Sequence, residues 1–291
     1  MTSRAPAWFE QKYINGAIHV LQAKGYVLQG TTRAATSQKG NEVTWKIAGD
    51  GEATEMSDAI EDRPTLNAGR DTVKATMVDY EANEWIKTTD VEKMSENEQQ
   101  VAQQTCGMAL GRKFDRIILG AMDDEGGNIE TIGSGTANID LPDILEANTN
   151  IGDEGDSMEM QYFVALPVRQ LGALLLRKGW SSADYVTDTP LLKKIGARRY
   201  LNMTFLPMPK KMFAVPSANQ ADGYMWAKDC VGFATPTDEK GLISAATRID
   251  YVPTKKAYFA GNTMSAAARV LLVKGVKRLR VSTNTALTAG L

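Results

Sequence analysis

The sequence predicts an α+β chain with three parts in order: a long hairpin, a long helix and a mixed C-terminal lobe. Three observations carry this. Apolar residues alternate with polar ones at 42–47 and again at 72–80, the period of a half-buried strand. A proline-free stretch from Val91 to Met122 is rich in Glu, Gln, Lys, Ala, Met and Leu, all good helix formers. Beyond it, helical and strand-like stretches are mixed without regular alternation, the mark of an α+β rather than an α/β chain.

Taken in order, residues 6–23 read as an amphipathic helix, with Phe9, Tyr13, Ala17, Val20 and Leu21 on one face and Gly25 ending it. Trp8, Phe9 and Tyr13 are packing residues or, on the sharper reading, anchors for a neighbouring subunit. Residues 27–40 are polar and weakly patterned and read as an extended arm. In the first strand Val43, Trp45 and Ile47 share a face. In the second, Val73, Ala75 and Met77 oppose Lys74, Thr76 and Val78. Between the strands lies a polar, acidic segment, 49–71. More than about 20 unpatterned residues are unusual inside a compact domain, so it reads as the projecting tip of a hairpin. Trp85 is placed to pin the second strand to the long helix. That helix starts near Asp90 or at Ser95, where Ser95 and Glu98 fit a capping box, and Gly126-Gly127 stops it.

The Gly- and Asn-rich change of composition at 126–155 marks a domain boundary, with a short helix near Leu141–Ala147. A strand at Met158–Val164 follows, then a helix opened by Pro167 and closed by Gly179, carrying Val168, Leu171, Leu174 and Leu175. Further strands are expected at Tyr200–Leu206, Tyr224–Phe233, Leu242–Val252, Ala257–Ala260, Ala267–Val273 and Arg278–Ser282.

Composition excludes several functions. The net charge of −2 argues against tight non-specific nucleic-acid binding, which needs a basic face. No apolar run approaches the roughly 20 residues of a membrane span, and the first residues lack a secretory core, so the chain is expected in a cytoplasm. Cys106 and Cys230 are the only cysteines and read as buried free thiols. His19, the only histidine, lies on the amphipathic segment, so metal sites with several His or Cys ligands are excluded and a histidine triad has no support. No phosphate-cradling motif occurs; Ile132-Gly-Ser-Gly-Thr136 reads as a loop, because Asn138 stands where a third glycine would be needed. No catalytic residue, cofactor or metal ligand is predicted. A carboxylate-based α+β enzyme remains a remote alternative.

Charge is segregated along the chain. From Asp50 to Asp62 there are six acids and no base, namely Asp50, Glu52, Glu55, Asp58, Glu61 and Asp62, flanked by Arg63 and Arg70. A second acidic belt runs from Asp123 to Asp156. Bases cluster at Lys193-Lys194, Arg198-Arg199, Lys210-Lys211, Lys255-Lys256 and at Lys274, Lys277, Arg278 and Arg280. Such blocks are solvated surface, or they steer one copy onto the next.

The order of parts resembles the tailed-bacteriophage major capsid proteins of Hong Kong 97-type fold. The stretch Thr72-Val-Lys-Ala-Thr-Met-Val-Asp-Tyr80, leading through Trp85 and Thr89-Asp90, is similar to the hairpin's return strand in a podovirus-like branch. The helix ending Ala109-Leu-Gly-Arg-Lys-Phe-Asp-Arg-Ile-Ile-Leu-Gly-Ala-Met122 resembles that branch too, as do Leu166-Pro167, Ala183-Asp184-Tyr185 and Cys230-Val-Gly-Phe-Ala234. No single motif is diagnostic; the resemblance spans nearly the whole chain. It implies an N-terminal arm and helix (1–40), an extended hairpin or E-loop (41–82), a peripheral domain with the spine helix (83–150, plus strands in 245–265) and an axial domain (151–244, plus 266–291).

The resemblance further implies self-assembly into hexamers and pentamers of an icosahedral shell around packaged double-stranded DNA, held without sequence specificity. A portal at one vertex is an expected partner, with either a separate scaffolding protein or none; a decoration protein is compatible with the resemblance but not implied by it. The expected place is the virion, after assembly in the host cytoplasm. An encapsulin-type compartment or a gene-transfer-agent shell is the alternative within the fold. Trp8, Phe9, Tyr13, Asp50, Glu52, Glu55, Asp58, Glu61, Asp62, Arg63 and Arg70 are the expected inter-subunit contacts.

Overall fold

The computed structural model describes residues 24–49, 51, 53, 55, 65, 68–91, 98–154, 160–177, 198–200, 202–236 and 246–287. The amphipathic segment 6–23, Ser95 of the capping box, Gly179 and Ala183–Tyr185 lie outside them.

The long helix forms where the helix formers are. After a short turn of helix, α1 (Thr88–Val91), comes α2 (Glu98–Asp124), 27 residues and so about 40 Å. It stops just before Gly126-Gly127. Two strands precede it, β3 (Glu42–Ala48) and β4 (Arg70–Thr76), paired antiparallel from Glu42↔Thr76 to Ala48↔Arg70. A break at Met77 separates β4 from β5 (Val78–Lys87).

The polar arm is not loose. Leu28 enters the main core, β1 (Arg33–Ala34) runs parallel to Gly232-Phe233, and β2 (Ser37–Lys39) pairs with β3. Its backbone groups thus find partners that no side-chain pattern announces.

After α2 come β6 (Thr131–Ile132) and α3 (Leu141–Asp153). The latter runs six residues past the expected end at Ala147. Asn148, Thr149 and Asn150 are poor helix formers, but Ile144, Ala147 and Ile151 share a buried face, so packing overrides propensity. Asp140 and Asp143 form a capping box at its start. Then follow β7 (Tyr162–Pro167), α4 (Val168–Leu175), β8 (Arg198–Tyr200), β9 (Met203–Met208), β10 (Gln220–Ala227), β11 (Val231–Ala234), β12 (Ala246–Val252), β13 (Ala257–Val270) and β14 (Val276–Ser282).

Four expected strands are redrawn: Tyr200–Leu206 is interrupted at Asn202, in the left-handed region at φ 61°, so that Tyr200 ends β8 and β9 starts at Met203. Tyr224–Phe233 is not one strand but two, β10 and β11, in different sheets, because a 3-10 turn at Lys228–Cys230, where the charged pair Lys228-Asp229 interrupts the apolar residues, makes a corner. Conversely, Ala257–Ala260 and the start of Ala267–Val273 belong to one 14-residue strand, β13, which ends at Val270, and Val273 opens a 3-10 turn. The small polar residues between them looked like a break. Instead Asn262 reaches the Ala82 carbonyl, and Ser265 donates to Asp79.

Three sheets result: β2-β3-β4; β1-β11-β13-β12 with β5 also on β13; and β6-β14-β10-β7-β9-β8. The main core joins Leu110, Phe114, Ile118 and Met122 of α2 to Tyr224 and Trp226 of β10 and Phe205 of β9. A smaller cluster under the hairpin root joins Val43, Trp45 and Met77 to Ala234, Ala267 and Leu271. Trp85 does not pin β5 to the spine. It is 45% exposed, stacked beside Phe259 with Lys255 over its ring, while its neighbour Ile86 turns inward to Ala102 of α2. Successive strand residues face opposite ways, and the smaller one faces the helix.

Ile151→Ala is expected to cost about 2–5 kcal/mol, measured by urea unfolding, because it leaves a void where α3 meets the core.

Candidate assembly surface

Three attachments fix the parts that project from the body. The first holds the arm to the spine. Gly25, in the left-handed region at φ 83°, lies so close to α2 that a Cβ there would sit 2.0 Å from the Gly111 carbonyl carbon. Gly111 in turn leaves no room for a side chain beneath Lys24 and Tyr26. Glycine on both sides is what this backbone approach requires. The Tyr26 N–H donates to the Gly111 carbonyl at 3.2 Å, and its ring packs on Phe114 at 5.2 Å.

One turn on, the buried Asp115 accepts hydrogen bonds from the backbone N–H groups of Leu28 (3.0 Å) and Val27 (3.3 Å). Burial pushes its pKa above the ordinary carboxylate value, and the two N–H groups offset this only in part. Further along, the Trp226 indole donates to the Thr31 carbonyl at 3.0 Å.

The second attachment is the hairpin root. Trp45 is fully buried against Gly232 of β11, where an added Cβ would lie 2.6 Å from the indole ring. Cover is then lost along the ribbon. Val43 and Trp45 are buried and Ile47 and Val73 half-buried, while Ala48, Gly49, Gly69, Arg70, Asp71 and Thr72 are exposed.

The third is a buried ionic joint between the end of α2 and the six-stranded sheet. Asp222 on β10 takes a bidentate grip from Arg280 at 2.8 and 2.9 Å, with Arg278 3.6 Å away. The Tyr224 hydroxyl donates to Asp123 at the end of α2, and burial raises the pKa of both groups. Gly126 is bare because Arg278 occupies the place of its side chain.

Part of the second acidic belt is paired within the chain, with C-terminal bases in Glu125–Arg269 (3.0 Å), Glu130–Lys277 (2.6 Å) and Glu154–Lys274 (2.5 Å), and with Arg177 in Asp140–Arg177 (3.0 Å). For these groups the steering role is replaced by an internal one. Sequence shows the blocks but not that they meet.

Of the expected contact residues, Glu55 and Arg70 are described, and both are exposed. Trp8, Phe9, Tyr13, Asp50, Glu52, Asp58, Glu61, Asp62 and Arg63 lie outside the described residues. Gly25, Gly111, Asp115, Trp45 with Gly232, and Asp222 were missed as a set. A signal for Asp115 existed: it is the one carboxylate between Gln99 and Met122, in the middle of an apolar helix.

Both cysteines are buried free thiols. Among the described residues no three His, Cys, Asp or Glu side chains gather as a metal site, and no helix is long and apolar enough to cross a membrane. A cavity of about 520 Å³ lies under the arm between Gln29–Gln38 and Phe114 and Phe233, and its lining carries no charged side chain.

A long helix beneath a strand layer, a lobe built on a six-stranded mixed sheet, and an arm and ribbon leading away from the core define a capsid-type subunit of Hong Kong 97-type fold. The chain belongs to the phage capsid protein family, whose model matches residues 5–282. Solved structures agree in fold. The cyanophage P-SCSP1u capsid aligns with a TM-score of 0.70 at 12% identity, covering 97% of this chain and 100% of that one. The Ralstonia phage GP4 capsid gives 0.70 at 10% identity, with 94% and 96% covered. The head of Helicobacter pylori bacteriophage KHP40 gives 0.65 at 10%, with 87% and 89% covered. No curated protein matches the sequence.

Asp115→Ala strands two N–H groups and is expected to cost roughly 2–4 kcal/mol, with Asp115→Asn, which keeps one acceptor, costing about half. A raised folded pKa means the folded state holds this proton to higher pH than the unfolded state does. Stability from this group is therefore full at low pH and lost as pH rises from the unfolded value through the folded one. The advantage of wild type over Asp115→Asn should shrink from pH 4 to pH 7 in urea titrations. Asp222→Ala leaves Arg278 and Arg280 without their partner. A loss of roughly 3 kcal/mol is expected, the low end for a buried pair because the Arg280 side chain is 28% exposed.

Proposed function

We propose that this chain is the major shell subunit of a tailed phage of the podovirus-like branch, assembling as hexamers and pentamers around packaged double-stranded DNA. The single observation that carries the reading is the ribbon: its root is welded to the body by Trp45 and Gly232, and its outer positions run into solvent. A contact made by one patch on a different patch of the next copy is heterologous and closes into a ring when the rotation permits.

On this reading 83–150 with parts of 245–265 is the peripheral domain, and 151–244 with 266–291 is the axial domain at ring centres. The arm's aromatic residues Trp8, Phe9 and Tyr13 and the acidic segment Asp50–Asp62 lie on neighbours. A separate scaffolding protein, a portal and a decoration protein would meet the shell from outside this chain. Its function is mechanical rather than catalytic. Net charge of −2 supports a wall that does not grip DNA, which would otherwise be retained on release. Apolar strand faces supply most of the gain, about 25 cal/mol per Å² gross, much reduced by the cost of ordering.

Deleting residues 50–70 should leave a soluble, folded monomer that makes no shells. Normal particles from that variant in electron micrographs would overturn the assigned role of the hairpin.

A further inference from the structure

One carboxylate in this chain holds a lysine and an asparagine side by side. Glu130 accepts from the Lys277 ammonium at 2.6 Å through Oε2 and from the Asn150 side-chain amide at 3.0 Å through Oε1. Three elements meet there: Glu130 immediately precedes β6, Lys277 lies on β14 and Asn150 on α3.

Each member is placed by the fold. The Arg278 N–H donates to the Glu130 carbonyl at 2.9 Å where β6 joins β14, and the neighbouring Ile129 is buried in the main core. The Lys277 side chain is only 6% exposed, and lysine is almost never buried without a partner. Asn150 stands one residue before the buried Ile151, at a helical position where asparagine is a poor helix former. Glu154, just past the end of α3, takes Lys274 instead.

An amine, a carboxamide and a carboxylate between them are the reactants and the proton carrier of a transamidation. We propose that Lys277 and Asn150 join covalently within one chain, through an amide between Nζ and Cγ formed with Glu130 as the general base and acid. Glu130 takes a proton from the Lys277 ammonium through Oε2, and the freed lone pair of Nζ attacks Cγ of Asn150. A second Nζ proton passes through the carboxylate as the Cγ–Nδ2 bond breaks. Nδ2 leaves with both protons as ammonium, Glu130 ends as the carboxylate it was, and nothing is oxidised or reduced.

Holding both reactants on one group makes the step intramolecular, for which effective molarities reach about 10⁵–10⁸ M when the alignment is good. The bond ties α3 to the six-stranded sheet and closes a loop from residue 150 to residue 277. Closing so long a loop restricts the unfolded chain far more than the folded one. The reaction lies beyond the shell reading and does not depend on it, because a single dissociated chain carries every group required.

Mass spectrometry of the purified full chain, after prolonged incubation at neutral pH, tests this. The wild-type mass is expected to fall below the sequence mass by one ammonia per chain. A denaturing gel should still show single chains, and trypsin should release one joined peptide pair containing Asn150 and an uncleaved Lys277. Glu130→Gln, which cannot carry the protons, should lose ammonia roughly a hundredfold more slowly. Asn150→Ala and Lys277→Arg should keep their sequence masses.

A wild-type chain that stays at its sequence mass overturns the proposal and leaves the trio an ion pair with an added hydrogen bond. Loss of ammonia without a joined peptide overturns it as well, since an asparagine cyclised on its own backbone gives that result. So does a joined pair found only between two copies, visible as a dimer in the denaturing gel. All three outcomes are read on the wild-type chain, so a variant that fails to fold decides none of them.

Discussion

A two-stranded ribbon is only marginally stable in water unless something covers a face. In this chain the cover runs out halfway along. Trp45 against Gly232 marks the last fully buried position among the described residues of the ribbon, and beyond Ile47 and Val73 those described are exposed, apart from the half-buried Ala68. The root of that ribbon is packed against the body of the subunit. β2 adds a third strand at the root only, where Val43, Met77, Ala267 and Leu271 close beneath it.

Rigidity of the base comes from crossing attachments rather than from one large sheet. The spine buries Leu110, Phe114, Ile118 and Met122 into the core of the six-stranded sheet, and β13 links β5, β11 and β12 in another sheet. The arm is sewn to both through Asp115 and through β1 on β11. The Asp222–Arg280 joint adds direction more than net stability, since the cost of desolvating a buried pair offsets much of its attraction. A subunit that must present the same surfaces in every position of a shell gains more from fixed angles than from extra stability.

Local patterning made the spine, the hairpin strands and the α+β class legible in the sequence. Period-two alternation from Glu42 to Ile47 and the helix formers before Gly126 needed no tertiary information. Where local and tertiary signals disagreed, the sequence misled. The charged pair Lys228-Asp229 marks the corner between β10 and β11 and was legible, whereas β13 continues through Gly261 and Asn262 because strands on both sides hold it. Trp85 misled because size suggested burial; alternation along β5 had already assigned the inward place to Ile86. The arm's strands and Asp115's role depend on long-range backbone pairing, which composition does not encode. The acidic belt from Asp123 and the basic C-terminal strand looked like free surface because their pairing spans about half the chain.

The central claim is that the outer ribbon and its acidic segment find cover only on another copy. Amide hydrogen exchange on the dissociated chain and on assembled particles tests it most directly. The account predicts that amides at the root, around Val43–Trp45 and Ala75–Met77, are protected in both states, whereas those from Ala48 to Asp71 become protected only in particles. Equal protection of the outer ribbon in the dissociated chain would show that it is held by its own subunit, and would contradict the account.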